Sequence, residues 1–444
     1  MNFLVTLNKY EEKEFTSLRT EYELDYKKEG PYSILVEKGV RFFKNSNFIS
    51  ITDGYFRDLT IASSSNQDHF QECLPAILKE WPLKNDITGS FSNVLIEQNS
   101  WEITISNDVI GPYPLYYLCT EGNFFISNSI IWIGAVSGCE TDEIGVAERA
   151  LGPELSTIGS RTIIKDCKRI LPGEWIKFNC SGKILRKKYD NILFQNVTAG
   201  KNKKELVQEY WSLLQKEIRY CLNNDSQVNI ALSGGVDSRI ILGSLPQEKK
   251  IKCHTYGAAA FYETTIARTL AKIREAEFKN YYSPYLHFPS FQQARNYTLK
   301  TEALYLGSWL EILEAQNPEQ REPFFIGDLT ESLQGRNIKF HSSRIDRKKN
   351  FFKTTILKKS FSFQPSTKMN FYEWKEGIKT FYLLKFRQEN LDKLELKLTH
   401  EIILEEVSAD LEELFSRIEN HKIPFMELYD ELFSWFTHAR MPMA

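Results

Sequence analysis

The chain has 444 residues, 42% of them apolar and 26% charged, values of a globular protein too long for one ordinary core, so two or three domains are expected. A formal net charge of -2 gives no electrostatic footprint for nucleic acid or an anionic membrane surface. No apolar run approaches the roughly 20 residues that span a bilayer, and Met1 to Tyr10 has neither the basic lead nor the apolar run of a signal peptide, so a cytoplasmic protein is expected.

Residues 1–197 read mostly as strands. Apolar or alternating runs occur at Asn47–Ile51, Val94–Glu97 and Trp101–Ile105, with turn signals at Asp53-Gly54, Asn107-Asp108 and Glu121-Gly122. Helical periodicity is sparser, at Gln67–Trp81 and Glu143–Leu151. This is a β-rich α+β domain. A polar, turn-prone linker follows at 198–204. Beyond it the pattern changes: an amphipathic helix at Glu205–Asn223 with apolar Leu206, Tyr210, Leu213, Leu214, Ile218 and Leu222, a strand at Val228–Leu232, a helix to about Leu245, a strand at Ile251–Gly257, a helix at Glu263–Glu275 and a strand at Phe324–Gly327. Strands alternating with helices predict a parallel sheet, which binds ligands at the carboxyl ends of its strands. From Arg344 onward the chain reads as charged helix, with Leu428–Thr437 the last, so residues 205–444 are assigned to one second domain. Lys348-Lys349 and Lys358-Lys359 are read as a solvated face rather than an RNA-binding patch.

One carboxyl end is distinctive. After Val228–Leu232 comes Ser233-Gly234-Gly235-Val236-Asp237-Ser238, then Arg239-Ile240-Ile241-Leu242. Read physically, a buried strand ends in a tight turn and a helix begins. Adjacent glycines permit positive φ and leave N–H groups exposed, and such N–H groups at a helix N-terminus attract phosphate. Ser233 and Ser238 add hydroxyl donors. Asp237 is out of place beside an anion unless Mg²⁺ lies between them. The spacing is neither G-x-x-x-x-G-K-[ST] nor G-x-G-x-x-G. S-G-G-x-D-S resembles the pyrophosphate loop of the N-type ATP pyrophosphatases, which cleave ATP between the α- and β-phosphates and leave an adenylate on the substrate.

Five segments together resemble the asparagine synthetase family. Thr88-Gly89-Ser90-Phe91 and Asp108-Val109-Ile110-Gly111-Pro112-Tyr113-Pro114-Leu115-Tyr116-Tyr117 resemble G-x-F and D-x-x-G-x-x-P-L-Y-Y of its glutaminase-like domain. Phe125–Ser129 resembles the strand that follows, and Leu171-Pro172-Gly173-Glu174-Trp175 with Tyr189 the later turn and strand end. The pyrophosphate loop is the fourth, and Gly327-Asp328-Leu329-Thr330-Glu331-Ser332-Leu333-Gln334-Gly335 is a degraded likeness of G-x-G-x-D-E-x-x-G. The resemblance implies an N-terminal Ntn-hydrolase-like α+β sandwich, then an α/β parallel sheet of the adenine nucleotide α-hydrolase type with extra C-terminal helices. It implies ATP and Mg²⁺, and a small-molecule or peptide carboxylate as substrate. The backbone of Leu232 and Gly257 would lie near adenine. Ser233, Gly234, Gly235, Val236, Asp237, Ser238 and Gly327 would surround the phosphates. Asp237, Glu331 and Asp328 would hold the metal, with Asp237 and Glu331 the catalytic pair. Glu263 matches the family's D-E-x-x-x-A helix start, where it would equally complement the helix dipole.

Three departures qualify the resemblance. The family's glutaminase nucleophile is a cysteine at position 2, and here Asn2 stands there; an amide cannot attack glutamine. None of the seven cysteines (Cys73, Cys119, Cys139, Cys167, Cys180, Cys221 and Cys253) is near the start, and no C-x-x-C or H-E-x-x-H suggests a metal or redox centre. This pattern resembles the branch of β-lactam synthetases and lasso-peptide cyclases, whose amine comes from the substrate or another molecule. Leu329 replaces a glycine. His438-Ala439-Arg440-Met441-Pro442 resembles the opening of the family's E-x-R-x-P segment, and the chain is expected to lack the later lysine that stabilises the adenylate transition state. The leading expectation is an ATP-dependent amide-forming ligase. The alternatives are a non-catalytic homologue that binds nucleotide or a partner protein, and a tRNA-modifying ATP pyrophosphatase.

Overall fold

The computed structural model describes residues 2–7, 15–16, 18, 23–58, 87–120, 123–152, 156–189, 200–222, 227–282, 323–327, 371–421, 429 and 432–433. The expected helix at Gln67–Trp81 and turn at Glu121-Gly122 lie outside them, as does nearly all of the helix expected at Leu428–Thr437. By packing the chain divides into two units: one holds the described residues up to 189 with those from 371 on, the other holds 200–282 and 323–327.

The first unit is built on two six-stranded antiparallel sheets. One runs β10-β8-β9-β1-β3-β2, from β1 (Phe3–Leu7), β2 (Leu24–Glu29), β3 (Tyr32–Glu37), β8 (Tyr116–Thr120), β9 (Asn123–Ser127) and β10 (Cys167–Arg169). The other runs β12-β11-β7-β6-β5-β4, from β4 (Arg41–Lys44), β5 (Phe48–Asp58), β6 (Ile87–Glu97), β7 (Ile103–Asn107), β11 (Glu174–Phe178) and β12 (Ile184–Tyr189). Alternation decides how they pack. Phe3, Val5, Ile34 and Val36 from one sheet meet Ile49, Ile51, Val94, Ile96, Ile103 and Ile105 from the other in a single core. The intervening Leu4 and Leu35 point to the other face of the first sheet, where Ile130, Trp132 and Ile133 of α1 (Ile130–Ser137) cover them.

Gly54, expected in a turn, lies instead within β5, paired with Phe91 at φ +87°. A Cβ there would meet Ser90 O at 2.1 Å, so the glycine serves close strand approach rather than a reversal.

α2 (Glu143–Leu151), α6 (Phe371–Leu383), α7 (Gln388–Leu391) and α8 (His400–Glu419) share a second core, in which Ile144 and Ala147 pack with Trp374, Tyr382, Leu411 and Phe415. Arg161 fixes this arrangement. Its guanidinium meets Asp142 at 2.9 Å and, on α8, Glu406 at 2.5 Å and Asp410. Arg417 of α8 donates to Pro172 O at 3.0 Å and lies 3.6 Å from the centre of the Tyr189 ring. The packing therefore groups 371–421 with the N-terminal sheets, whereas the sequence reading placed 205–444 in one domain. The ties responsible join residues up to 249 positions apart, which no local pattern reveals.

The second unit carries a four-stranded sheet, β15-β14-β13-β16, from β13 (Gln227–Ala231), β14 (Lys250–Tyr256), β15 (Glu277–Tyr281) and β16 (Phe324–Phe325), with every pairing parallel. α3 (Lys203–Leu222), α4 (Val236–Ser244) and α5 (Tyr262–Ile273) lie in the sequence order expected of crossover connections. Ile218, Leu222, Val228, Ile230, Ile251, Cys253, Ala267 and Ala271 form its core. Only the last turns of α3 join this core. Tyr210 and Leu213, expected on the buried stripe, are 46% and 60% exposed. Among the described residues no helix is long and apolar enough to cross a membrane.

Candidate functional site

β13 ends at Ala231, and the next residue, Leu232, is fully buried with its N–H on His254 O at 2.8 Å. The chain then turns through Ser233, Gly234 and Gly235 into α4, whose first residues are Val236, Asp237 and Ser238. Two hydroxyls brace the turn. Ser238 Oγ accepts from Ser233 N–H at 3.1 Å and lies 3.1 Å from Ser233 Oγ, and Ser233 Oγ accepts from Gly235 N–H at 3.0 Å. Gly235 is the N-cap of α4, with φ -72° and ψ 163°. The first N–H groups of a helix have no intrahelical acceptor, so this turn ends on a ready anion-binding position.

The glycines do not act as expected. Neither Gly234 nor Gly235 takes a positive φ. Gly234 is tightly placed: a Cβ there would sit 3.0 Å from Glu263 Cα and 3.3 Å from its Cβ and Cγ. Glu263, in the first turn of α5, thus lies directly against the turn. Gly327 also reaches it, since a Cβ on Gly327 would meet Ser238 N at 3.0 Å and Asp237 Cβ at 3.2 Å. Gly257, just past β14, does adopt a positive φ, +135°. Its N–H donates to Tyr281 O at 2.9 Å and its carbonyl accepts from Asn280 Nδ2 at 3.0 Å. The fold therefore brings Gly327 and Asp237 together at the end of β13 and sets Gly257 at the end of the neighbouring strand. Asp328 and Glu331 lie outside the described residues. Among the described residues no cluster of three or more His, Cys, Asp or Glu side chains is arranged to hold a metal.

Sequence reasoning missed a polar bridge on the sheet face opposite this core. His254 Nε2 is 2.8 Å from Asn229 Oδ1, and His254 Nδ1 is 3.1 Å from Tyr281 OH. The three side chains tie β13, β14 and β15 together near their carboxyl ends. The available signal was a histidine within the strand run Cys253-His254-Thr255-Tyr256.

In the first unit the recognised segments converge on Asp108. Its Oδ2 accepts from Phe91 N–H at 2.8 Å, its Oδ1 from Ile110 N–H at 2.8 Å and Gly111 N–H at 3.1 Å, and its carbonyl from Gly173 N–H at 2.7 Å. Burial pushes its carboxyl up to about 6, although these N–H donors pull the other way. Asp108 is a structural pin joining strand β6 to the turns at 110–111 and 173. At position 2, Asn2 N–H donates to Glu37 Oε2 at 2.7 Å, and the next residue, Phe3, donates to Asn128 Oδ1 at 3.0 Å. No thiol stands there, and the described cysteines are all unpaired with one another.

No family model matches the chain. Over 195 residues it is 26% identical to the amidase chyE of Penicillium rubens, a stretch covering 43% of this chain and 28% of that protein. Over 264 residues it is 19% identical to the glutamine-hydrolysing asparagine synthetase 2 of Bacillus subtilis, covering 56% of this chain and 34% of that one. The chain thus matches about a third or less of the length of these curated relatives. Among solved structures, the glutamine phosphoribosylpyrophosphate amidotransferase of Bacillus subtilis, complexed with ADP and GMP, covers 71% of this chain and 71% of its own at 10% identity, with a TM-score of 0.26. The similarity to asparagine synthetase is distant.

Proposed function

We propose that this chain is an ATP-dependent carbon–nitrogen ligase that activates a substrate carboxylate as an acyl-adenylate and releases pyrophosphate. The observation that carries the reading is the hydroxyl-braced turn of residues 233–238, placed at the carboxyl end of a parallel strand with an aspartate in the first turn of the following helix. Similarity to an asparagine synthetase supports the same chemistry.

In this reading the backbone of Leu232 and Gly257 borders adenine. The turn and the first N–H groups of α4 hold the phosphates, and Gly327 closes on the turn because it has no side chain to obstruct it. A substrate carboxylate oxygen attacks the α-phosphorus. The bond from that phosphorus to the oxygen bridging to the β-phosphate breaks, and the electron pair leaves with pyrophosphate. An amine then displaces AMP from the acyl carbon. Positioning by the turn and electrostatic stabilisation supply most of the rate. Asp237, in the first turn of α4, offers carboxylate oxygens of the kind a hard divalent cation takes, so in this reading it would hold Mg²⁺ together with Asp328 and Glu331. Bound there, Mg²⁺ would offset phosphate charge. Asn2 leaves no nucleophile for glutamine, so the amine is ammonia or a group of the substrate itself. The carboxylate belongs to a small molecule or a peptide.

The test is exchange of labelled pyrophosphate into ATP by the purified chain, run against a panel of amino-acid, peptide and other small carboxylates. Exchange that depends on one carboxylate is expected, with glutamine no better than free ammonia as amine donor. ATP binding without exchange on any carboxylate overturns the ligase reading and favours a nucleotide-binding homologue.

A further inference from the structure

We infer that Arg239 grips the leaving pyrophosphate in this reaction, an inference that rests on the reading of the 233–238 turn as an ATP site. It begins from charge. Asp237 stands on the turn, and the backbone and side chain of Glu263 lie against Gly234. Two carboxylates therefore border the place where a polyphosphate would sit, and they repel it unless cations intervene. From Ser233 to Leu242 the sequence holds a single cationic side chain, Arg239.

Its geometry suits the task. Helical side chains lean toward the N-terminus, so a residue in the first turns of α4 projects back over the turn that precedes it. Arg239 does this explicitly: its Nε donates to Gly235 O, the N-cap carbonyl, at 3.1 Å. That bond folds the stem along the first turn and sets the guanidinium at the level of the N-cap. The side chain is solvent-exposed, and among the described residues its two terminal nitrogens make no hydrogen bond or ion pair. A planar fork with free donors pairs with phosphate oxygens in a way that a buried or ion-paired arginine cannot.

The role follows from where charge develops. As the α-phosphorus bonds to the carboxylate oxygen and its bond to the bridging oxygen breaks, negative charge accumulates on the departing β-phosphate. The Arg239 guanidinium offsets that charge. It contacts the leaving group and not the α-phosphate, so AMP gains nothing from it.

The experiment compares the full chain with Arg239→Lys, Arg239→Gln and Arg239→Ala, titrating each with inorganic pyrophosphate, ATP and AMP in the presence of Mg²⁺. Arg239→Gln keeps a donor for Gly235 O and removes the charge, and melting curves verify folding. Arg239→Gln and Arg239→Ala are expected to weaken pyrophosphate and ATP binding about 10- to 100-fold and leave AMP binding unchanged, with Arg239→Lys between them and wild type. In the exchange assay the KM for pyrophosphate rises correspondingly. Unchanged pyrophosphate affinity in Arg239→Ala, or an equal loss for AMP, overturns the inference. A wild-type chain that binds neither ATP nor pyrophosphate overturns instead the reading of the turn on which it rests.

Discussion

Asp108 and Asp237 stand in the two most distinctive segments of this chain, and their surroundings differ. Asp108 is 3% exposed, and both its carboxylate oxygens are taken up by three backbone N–H groups, one from strand β6 and two from the turn that follows Asp108. Asp237 is half-buried in the first turn of α4, with Gly327 drawn against its Cβ. One aspartate spends its acceptors on the protein's own backbone; the other stands in the first turn of a helix, on the turn proposed to bind ATP.

Three perturbations press on that contrast. The largest is Asp108→Ala, which strands three N–H groups in the sandwich. It should lower the unfolding free energy of the first unit by about 3–5 kcal/mol, read from urea titration. A loss below about 1 kcal/mol would mean that Asp108 is no pin. The next is a pH effect. Burial raises the Asp108 carboxyl to about 6, above the ordinary value near 3.9. Its contribution to stability is thus complete below pH 4 and disappears as pH rises through 6. Relative to Asp108→Asn, wild type should be about 2 kcal/mol more stable at pH 4.5 than at pH 7.5. A difference that is flat, or that grows toward pH 7.5, contradicts the burial account. The smallest is Gly234→Ala. Its methyl would press on Glu263 Cα at 3.0 Å, so ATP affinity should fall about tenfold while the melting temperature moves by only a few degrees. Unchanged affinity would show that the turn accommodates the methyl freely.

The turn at 233–238 was legible because its residues are consecutive: an apolar strand, two glycines and a helix start announce one another. The reason for its glycines was not, since Gly234 yields to Glu263 on another helix and no local conformation demands it. The helix Glu143–Leu151 was read from periodicity with its observed bounds, and the structure adds its cap, Asp142, which accepts from Ile144 and Gly145 N–H. Gly54 misled because Asp-Gly is a turn signal, yet here it permits Ser90 O to approach within a long strand. The apolar stripe of α3 was read from periodicity alone, and periodicity does not say how far along a helix its neighbours extend. The C-terminal helices were assigned by position in the chain, whereas Arg161 and Arg417 tie α8 to turns at 142 and 172. Asp108 was visible as a motif residue with local N–H partners at Ile110 and Gly111, but its bond to Phe91, 17 positions earlier, joins segments that meet only in three dimensions.

The most direct measurement is equilibrium binding of ATP to wild type and to Asp237→Ala, each with and without Mg²⁺. If the turn is an ATP site with Asp237 facing the metal, wild type binds ATP more tightly when Mg²⁺ is present, and Asp237→Ala loses that gain while keeping its melting temperature. Equal Mg²⁺-dependent binding by the two proteins would contradict the assignment of Asp237, and no binding by wild type would contradict the assignment of the turn.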